Sequence, residues 1–199
     1  MKAVLGAALL LLAAGCDRMV SKGTEPVYAS WEAGQTLVYA KPGAEESQRL
    51  QVRVKASKLG PDGRTVVRTY TSFTTVTEAT FRLQDGLEAL KLDGSKEMAI
   101  LPAGFPDRVS RWEERGIINF VVGRARVDLP GVKLPDPDAV GIWYETVPAT
   151  AAGVRRRTLL VPNYGEVETL NWKNGKWVVV NILVSQGFTE APATGASNE

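Results

Sequence analysis

The chain has 199 residues, and its 24 Lys plus Arg against 22 Asp plus Glu leave a net charge of only +2. A nearly neutral chain lacks the basic field that nucleic-acid binding requires, so we expect no nucleic-acid partner. It has no histidine and one cysteine, which excludes Ser-His-Asp and Cys-His catalysis, histidine-containing zinc sites and an intrachain disulfide, so we expect no enzymatic activity, no metal and no cofactor.

The first sixteen residues have the pattern of an export signal. Lys2 precedes the apolar run 3–12, and three small residues then lead to Cys16. An apolar run of about ten residues is too short to span the ~30 Å of hydrocarbon in a bilayer. We therefore predict a cleaved signal peptide over residues 1–15 rather than a permanent membrane helix.

The sequence Ala13-Ala14-Gly15-Cys16 resembles the lipobox of bacterial lipoproteins, with Ala13 at the position where Leu is usual. The resemblance implies that Cys16 is acylated and anchors the protein to a membrane of the bacterial cell envelope, facing the periplasm or the exterior. Cleavage without acylation, which leaves Cys16 as a free thiol, is the alternative. We predict a lipidated Cys and flexible tether over 16–26, an all-β domain over 27–188 and a disordered tail over 189–199.

Strand patterns dominate the first half of the predicted domain. Apolar and polar residues alternate over 50–56, and residues 64–73 are rich in Thr, Val and Tyr. The turn sequence Gly60-Pro61-Asp62-Gly63 separates the two runs and predicts a hairpin. Further strands are predicted over 75–83 and 87–92.

The pair Asp93-Gly94 predicts a second hairpin. A two-residue turn places Leu87 opposite Ile100 and sets Lys91 against Lys96, which is unfavourable because the charges are alike. A longer loop that includes Ser95 is the alternative.

The middle of the chain mixes several patterns. Residues 106–114 begin with a proline and can form a short helix. Residues 117–122 are almost wholly apolar, which predicts a strand buried on both faces or at an interface. Alternation over 124–129 predicts a strand exposed on one side, and the prolines of 131–138 predict a loop.

The clearest predicted element is a hairpin over 167–184, after strands over 142–147 and 154–161. Asn174-Gly175 is the favoured pair for a type I′ turn, because both central residues need positive φ. Counting outward from the turn places Trp172 opposite Trp177. Alternation then assigns one apolar face to the core, made of Val178, Val180, Ile182 and Val184.

These elements define an all-β fold, a single antiparallel domain of about ten strands. So many strands must curl on themselves or split into two layers. We predict a curled, partly open barrel, with a β-sandwich as the alternative. Strand order does not follow from the sequence.

Two pairs of residues are candidates for ligand binding or interaction. Trp172 and Trp177 form either a structural pair or a platform on which a ligand stacks. Alternation points Arg155 and Arg157 the same way, either toward anionic headgroups or an acidic partner, or as charges that protect a strand edge from aggregation. Asp136-Pro137-Asp138 supplies too few oxygen ligands for a calcium loop.

These patterns predict a membrane-anchored envelope lipoprotein that binds an apolar ligand or lipid. The apolar strands and five tryptophans favour a pocket. The chain resembles the lipoprotein-localisation carriers in its anchor and β content, and it lacks the helices that plug their cavity. The alternative is an interaction or scaffold module for an envelope assembly. A cavity favours the first function, and a filled core with an exposed apolar patch favours the second.

Overall fold

The computed structural model describes residues 27–92, 96–134, 136–150 and 153–189. The predicted signal peptide 1–15, Cys16 with the tether 16–26, and all but the first residue of the predicted tail 189–199 lie outside these ranges. Within the described ranges, no helix is long and apolar enough to cross a membrane.

The described residues form twelve antiparallel strands in one sheet, and a short 3₁₀ turn at Glu46–Gln48 lies between the first two strands. Most of the strands are joined by tight turns. In chain order the strands are β1 Gln35–Ala40, β2 Leu50–Gly60, β3 Gly63–Ser72, β4 Thr75–Gln84, β5 Leu87–Lys91, β6 Glu97–Leu101, β7 Arg111–Glu114, β8 Ile117–Arg126, β9 Val140–Pro148, β10 Arg156–Val161, β11 Gly165–Lys173 and β12 Lys176–Phe188.

The sheet consists of two six-stranded meanders, the first made of β1–β6 and the second of β7–β12. The strand order is β6-β5-β4-β3-β2-β1-β12-β11-β10-β9-β8-β7, so β1 pairs with β12, and β6 and β7 are the edges. This sheet curls into a nearly closed barrel, as a single twisted sheet of twelve strands must. The predicted curled, partly open barrel is therefore confirmed, and the β-sandwich alternative is wrong because all the described strands belong to one sheet.

The segment before β1 packs against both meanders. The ring of Tyr28 contacts Phe105 edge-to-face, with ring centroids 5.5 Å apart. Its neighbour Ala29 is buried with Val66 and Phe81 of the first meander. Gly165 lies so close to this segment that an added Cβ would come within 3.2 Å of the Cα of Ala29. The interior of the barrel is thus partly filled by its own N-terminal segment.

Local turn chemistry correctly predicts two hairpins. Asn174 and Gly175 both have positive φ, at 50° and 78°, and Trp172 lies opposite Trp177. Gly60 pairs with Gly63 across the predicted turn between β2 and β3.

The two-residue turn at Asp93-Gly94 is wrong. Lys91 lies opposite Glu97, and Leu90 lies opposite Met98. This register agrees with the longer loop and replaces a like-charge pair by an opposite-charge pair. Residues 93–95 themselves lie outside the described ranges.

The short helix predicted over 106–114 is also wrong, because its second half is strand β7. Arg115 and Gly116 both have positive φ, at 51° and 72°, and turn β7 back onto β8. Trp112 of β7 packs edge-to-face on Phe105, with centroids 5.5 Å apart. Tertiary packing and strand pairing outweigh the local helical preference.

Residues 117–122 are not buried on both faces. Ile117 and Val122 are 39% and 44% exposed, because β8 lies next to the short edge strand β7. The strand predicted over 124–129 is confirmed only as far as Arg126, where β8 ends, although burial keeps alternating to Leu129. The loop is confirmed over the described part of 131–138.

The core face predicted for β12 is confirmed only at Ile182, which packs against the buried core. The register of β12 shifts against β11 between Val179 and Asn181, and against β1 between Leu183 and Ser185. Each bulge interrupts the alternation of the strand. Leu183 consequently becomes the fully buried residue of β12, and the four residues predicted for the core are only partly buried.

Candidate functional site

A cavity of about 340 Å³ lies between the two meanders. From the first meander it is lined by Tyr39, Arg68 and Glu88, and from the second by Tyr144 and Leu160. The two sets of residues are distant in sequence and meet because β1 pairs with β12. The pairing that joins the two meanders therefore also creates the cavity.

A buried ion pair forms one side of the cavity. Arg68 and Glu88 are 5% and 8% exposed, and Nη1 of Arg68 donates a hydrogen bond to the Glu88 carboxylate. Arg68 lies on β3 and Glu88 on β5, so the guanidinium passes over the ring of Phe81 on the intervening β4, 4.3 Å from its centroid. Its Nε donates to the carbonyl oxygen of Ser30 at 3.0 Å.

Nη2 of Arg68 is also buried. Arg68 shares a further side-chain hydrogen bond with Tyr70, which lines the same cavity. The guanidinium is therefore held on several sides by groups of the fold itself.

Tyrosine hydroxyls supply further polar groups to the cavity. Tyr39 donates a hydrogen bond from its hydroxyl to the carbonyl oxygen of Glu166 at 2.8 Å, and burial raises the pKa of Tyr39 far above its ordinary value. Burial also raises the pKa of Tyr144 to about 12. At neutral pH these phenols are uncharged, so they act by hydrogen bonding.

A second cluster lies on the other face of the sheet. Tyr144 lines the cavity, and side chains alternate along a strand, so Glu145 points away from it. Glu145 is only 1% exposed because Nε of Arg155 and Nε of Arg157, the latter at 3.0 Å, both donate to its carboxylate. We call this group, together with Trp172 and Trp177, the Arg–Trp cluster.

The Arg–Trp cluster contains all four residues that the sequence singled out. The guanidinium of Arg157 lies 4.4 Å from the ring centroid of Trp177, and the two tryptophan rings meet edge-to-face at 5.1 Å. The guanidinium of Arg155 lies 5.7 Å from Trp172 and 5.4 Å from Trp177. The strand-edge interpretation of the arginines is wrong, because β10 lies between β9 and β11 in the sheet.

The remaining acidic candidates have structural partners. Asp138 pairs with Arg126 at 2.7 Å, and its backbone N–H donates to Asp136 at 2.9 Å. Across the part of the chain that the structure describes, no three His, Cys, Asp or Glu side chains are grouped to hold a metal. Cys16 lies outside that part.

Sequence reasoning did not identify Arg68, Glu88 or Glu145. Glu88 and Glu145 stand within largely apolar strands, and Arg68 follows two valines in a Thr-rich strand. A charge at a buried position of a strand is the signal that can identify such residues. Their partners, however, lie on other strands. Only the order and register of the sheet show that the charges are paired.

Comparison with known proteins shows similarity of fold. No protein-family model matches the chain, and no curated protein sequence matches it. A candidate exported protein with a YmcC-like fold from Bacteroides fragilis is similar in structure, with a TM-score of 0.55 and 15% identity, over 81% of this chain and 99% of that one. A candidate lipoprotein from Parabacteroides distasonis has a TM-score of 0.50 and 12% identity, over 83% of this chain and 100% of its own.

Replacing both arginines of the Arg–Trp cluster, R155M/R157M, should lower the free energy of unfolding by about 2 kcal/mol, because the buried Glu145 loses its cations. Removing one partner of a fully buried ion pair costs about 3–5 kcal/mol of stability. The arginines are partly exposed, so solvent screening makes the expected loss smaller. The triple variant E145M/R155M/R157M should recover most of the loss, since no buried charge remains.

The measurement is urea denaturation, with R126M as a control in which only an exposed ion pair is broken. A double variant that unfolds at the same urea concentration as the parent protein would show that Glu145 does not depend on the two arginines.

Proposed function

We propose that this chain is a lipid-anchored binding protein of the bacterial envelope that takes an apolar ligand or lipid into the cavity between its two meanders. The single observation that supports this function best is the cavity of about 340 Å³. That volume lies at the lower end of the range of roughly 300–1,000 Å³ that is usual for small-molecule sites.

The composition of the cavity supports a ligand with a substantial apolar part. Leu50, Val52, Leu90 and Leu160 contribute apolar side chains from both meanders, beside the polar groups described above. Mostly apolar walls with a few placed polar groups are the usual composition of ligand pockets.

The proposed function is binding without catalysis. The chain has no histidine, and the two carboxylates that line the cavity are both engaged. Glu88 is paired with Arg68, and Glu166 accepts a hydrogen bond from the hydroxyl of Thr169. The carboxylates that line the cavity therefore have structural partners within the fold.

The proposed anchor is Cys16. Its support is the apolar run and the lipobox-like residues before it, together with the fold shared with a candidate lipoprotein. Acylation adds about 0.8 kcal/mol of membrane affinity per buried methylene, so two or more chains hold the domain firmly.

Cells that express the full chain should incorporate labelled palmitate into the protein, and the Cys16→Ala variant should not. The incorporated palmitate is measured by autoradiography of the immunoprecipitated protein. Equal labelling of the variant, or none in the parent chain, would rule out Cys16 as the anchor.

Native mass spectrometry tests the binding function. Residues 17–199 are exported on the signal sequence of a soluble protein, which leaves out the acylated cysteine, and the protein is purified without detergent. We expect a reproducible extra mass that organic solvent releases. The Leu50→Trp variant should lose that mass because indole fills the cavity, and Leu59→Trp on the exposed part of the same strand should retain it.

A protein that carries no extra mass, even after incubation with envelope lipid extract, would contradict the proposed binding function. The Arg–Trp cluster would then support the second candidate, an interaction module for an envelope assembly. Its half-exposed Arg155 and Trp172 present a cation and an aromatic ring together, which suits an acidic partner.

A further inference from the structure

At one end of the barrel, the ends of neighbouring strands of the second meander form a continuous surface. Ile117 pairs with Pro148, which lies so close to Gly153 that no Cβ fits between them. Two residues further on, the carbonyl oxygen of Arg155 accepts a hydrogen bond of 2.9 Å from the backbone N–H of Trp172. We call this surface the basic rim, and its exposed cations and apolar side chains are Arg156, Lys173, Lys176, Ile117, Val154 and Trp172.

The three cations of the basic rim are not neutralised by the fold. Arg156, Lys173 and Lys176 are exposed and have no carboxylate partner among the described residues. Lys173 lies opposite Lys176 in the pairing of β11 with β12, and like charges opposite each other destabilise a sheet. Glu114 and Glu145 of neighbouring strands are engaged by other arginines. An anionic partner would therefore relieve a repulsion that the fold leaves in place.

Exposed apolar side chains lie among these cations. Val154 is 52% exposed, and Ile117 and Trp172 are each 39% exposed. A free phosphate ion makes no use of apolar side chains. The surface of an anionic bilayer uses both groups, because its phosphates attract Lys and Arg and its head-group region accommodates Trp and aliphatic side chains.

The basic rim also projects from the sheet. β12 pairs with β11 from Lys176 onward but with β1 only from Ile182 onward, so the hairpin at Asn174-Gly175 extends past the end of β1. Apolar and basic side chains at the tips of projecting strands suit a broad, flat surface such as a bilayer.

The proposed anchor leaves this end of the barrel within reach of the membrane. The chain from Cys16 to Val27 spans 11 residues and reaches at most about 38 Å. The nine residues of β9, which lead toward the basic rim, span only about 30 Å. The domain can therefore turn its basic rim to the membrane that holds the anchor.

We infer that the basic rim binds the surface of a membrane that contains anionic phospholipids. The three cations contact the lipid phosphates, and Val154, Ile117 and Trp172 enter the head-group region. This inference goes beyond the proposed function and does not depend on a ligand in the cavity.

The test is cosedimentation of the exported chain 17–199, which carries no acyl chain, with vesicles. Vesicles of equal parts phosphatidylglycerol and phosphatidylcholine are compared with vesicles of phosphatidylcholine alone. We expect binding to the first, weakening as salt is added, and no binding to the second. Equal binding to both, or binding to neither, would overturn the inference while leaving the proposed cavity function intact.

The variant R156Q/K173Q/K176Q assigns the binding to the basic rim. It should bind the anionic vesicles about a hundredfold more weakly, since each cation near an anionic bilayer strengthens binding about fivefold. K58Q/R126Q/K133Q removes as many exposed cations from the opposite end of the barrel and should bind nearly as the parent chain does. Equal weakening in both variants would overturn the role of the rim.

The variant I117S/V154S separates a membrane from an acidic protein partner. Its binding to the anionic vesicles should weaken about tenfold, because two apolar side chains no longer enter the head-group region. V140S, which changes an exposed valine at the opposite end, is the control. Unchanged binding of I117S/V154S would mean that the rim recognises charge alone, as on an acidic protein, and would overturn the membrane assignment.

Thermal unfolding of every variant is measured beside the parent chain. All the substituted side chains are exposed, so the fold should survive, and the loss of the Lys173–Lys176 repulsion should not lower stability. If a variant does not fold, the preference of the parent chain for anionic vesicles still decides the inference.

Discussion

The pairing of β1 with β12 is the constraint on which the rest of the structure depends. Each meander on its own is a six-stranded sheet with two free edges. Pairing their outer strands makes one twelve-stranded sheet, which has to curl and so turns the two inner faces toward each other. The N-terminal segment around Tyr28 fills part of the enclosed space, and the cavity is the part that it leaves.

The sheet contains two buried carboxylates on opposite faces, Glu145 and Glu88, and they differ in the number of arginines that pair with them. Glu145 receives hydrogen bonds from two arginines that also contact tryptophan rings, so its cluster is internally complete. Glu88 has a single arginine, and the pair lines the cavity. The inner pair therefore lies where a bound molecule would touch it, whereas the outer cluster is explained by packing alone.

Sequence patterns predict the elements that short-range chemistry determines. Asn174-Gly175 predicts both its turn and the Trp172–Trp177 pair, because positive φ and strand register act over a few residues. The bulges in β12 and the strand at 111–114 depend on partners that are distant in sequence, so the local pattern does not predict them. The sequence is sufficient to select the outer arginines and tryptophans as candidates. It does not predict the cavity, because Arg68 and Tyr144 line the same cavity only as a result of the strand order.

A crystal structure of the chain 17–199, exported by a bacterial host and purified without detergent, tests the central claim most directly. We expect elongated electron density in the cavity between the two meanders, as the binding of an apolar ligand there requires. A cavity closed by rearranged side chains, or one that holds only ordered water even after soaking with 1-decanol, would contradict it.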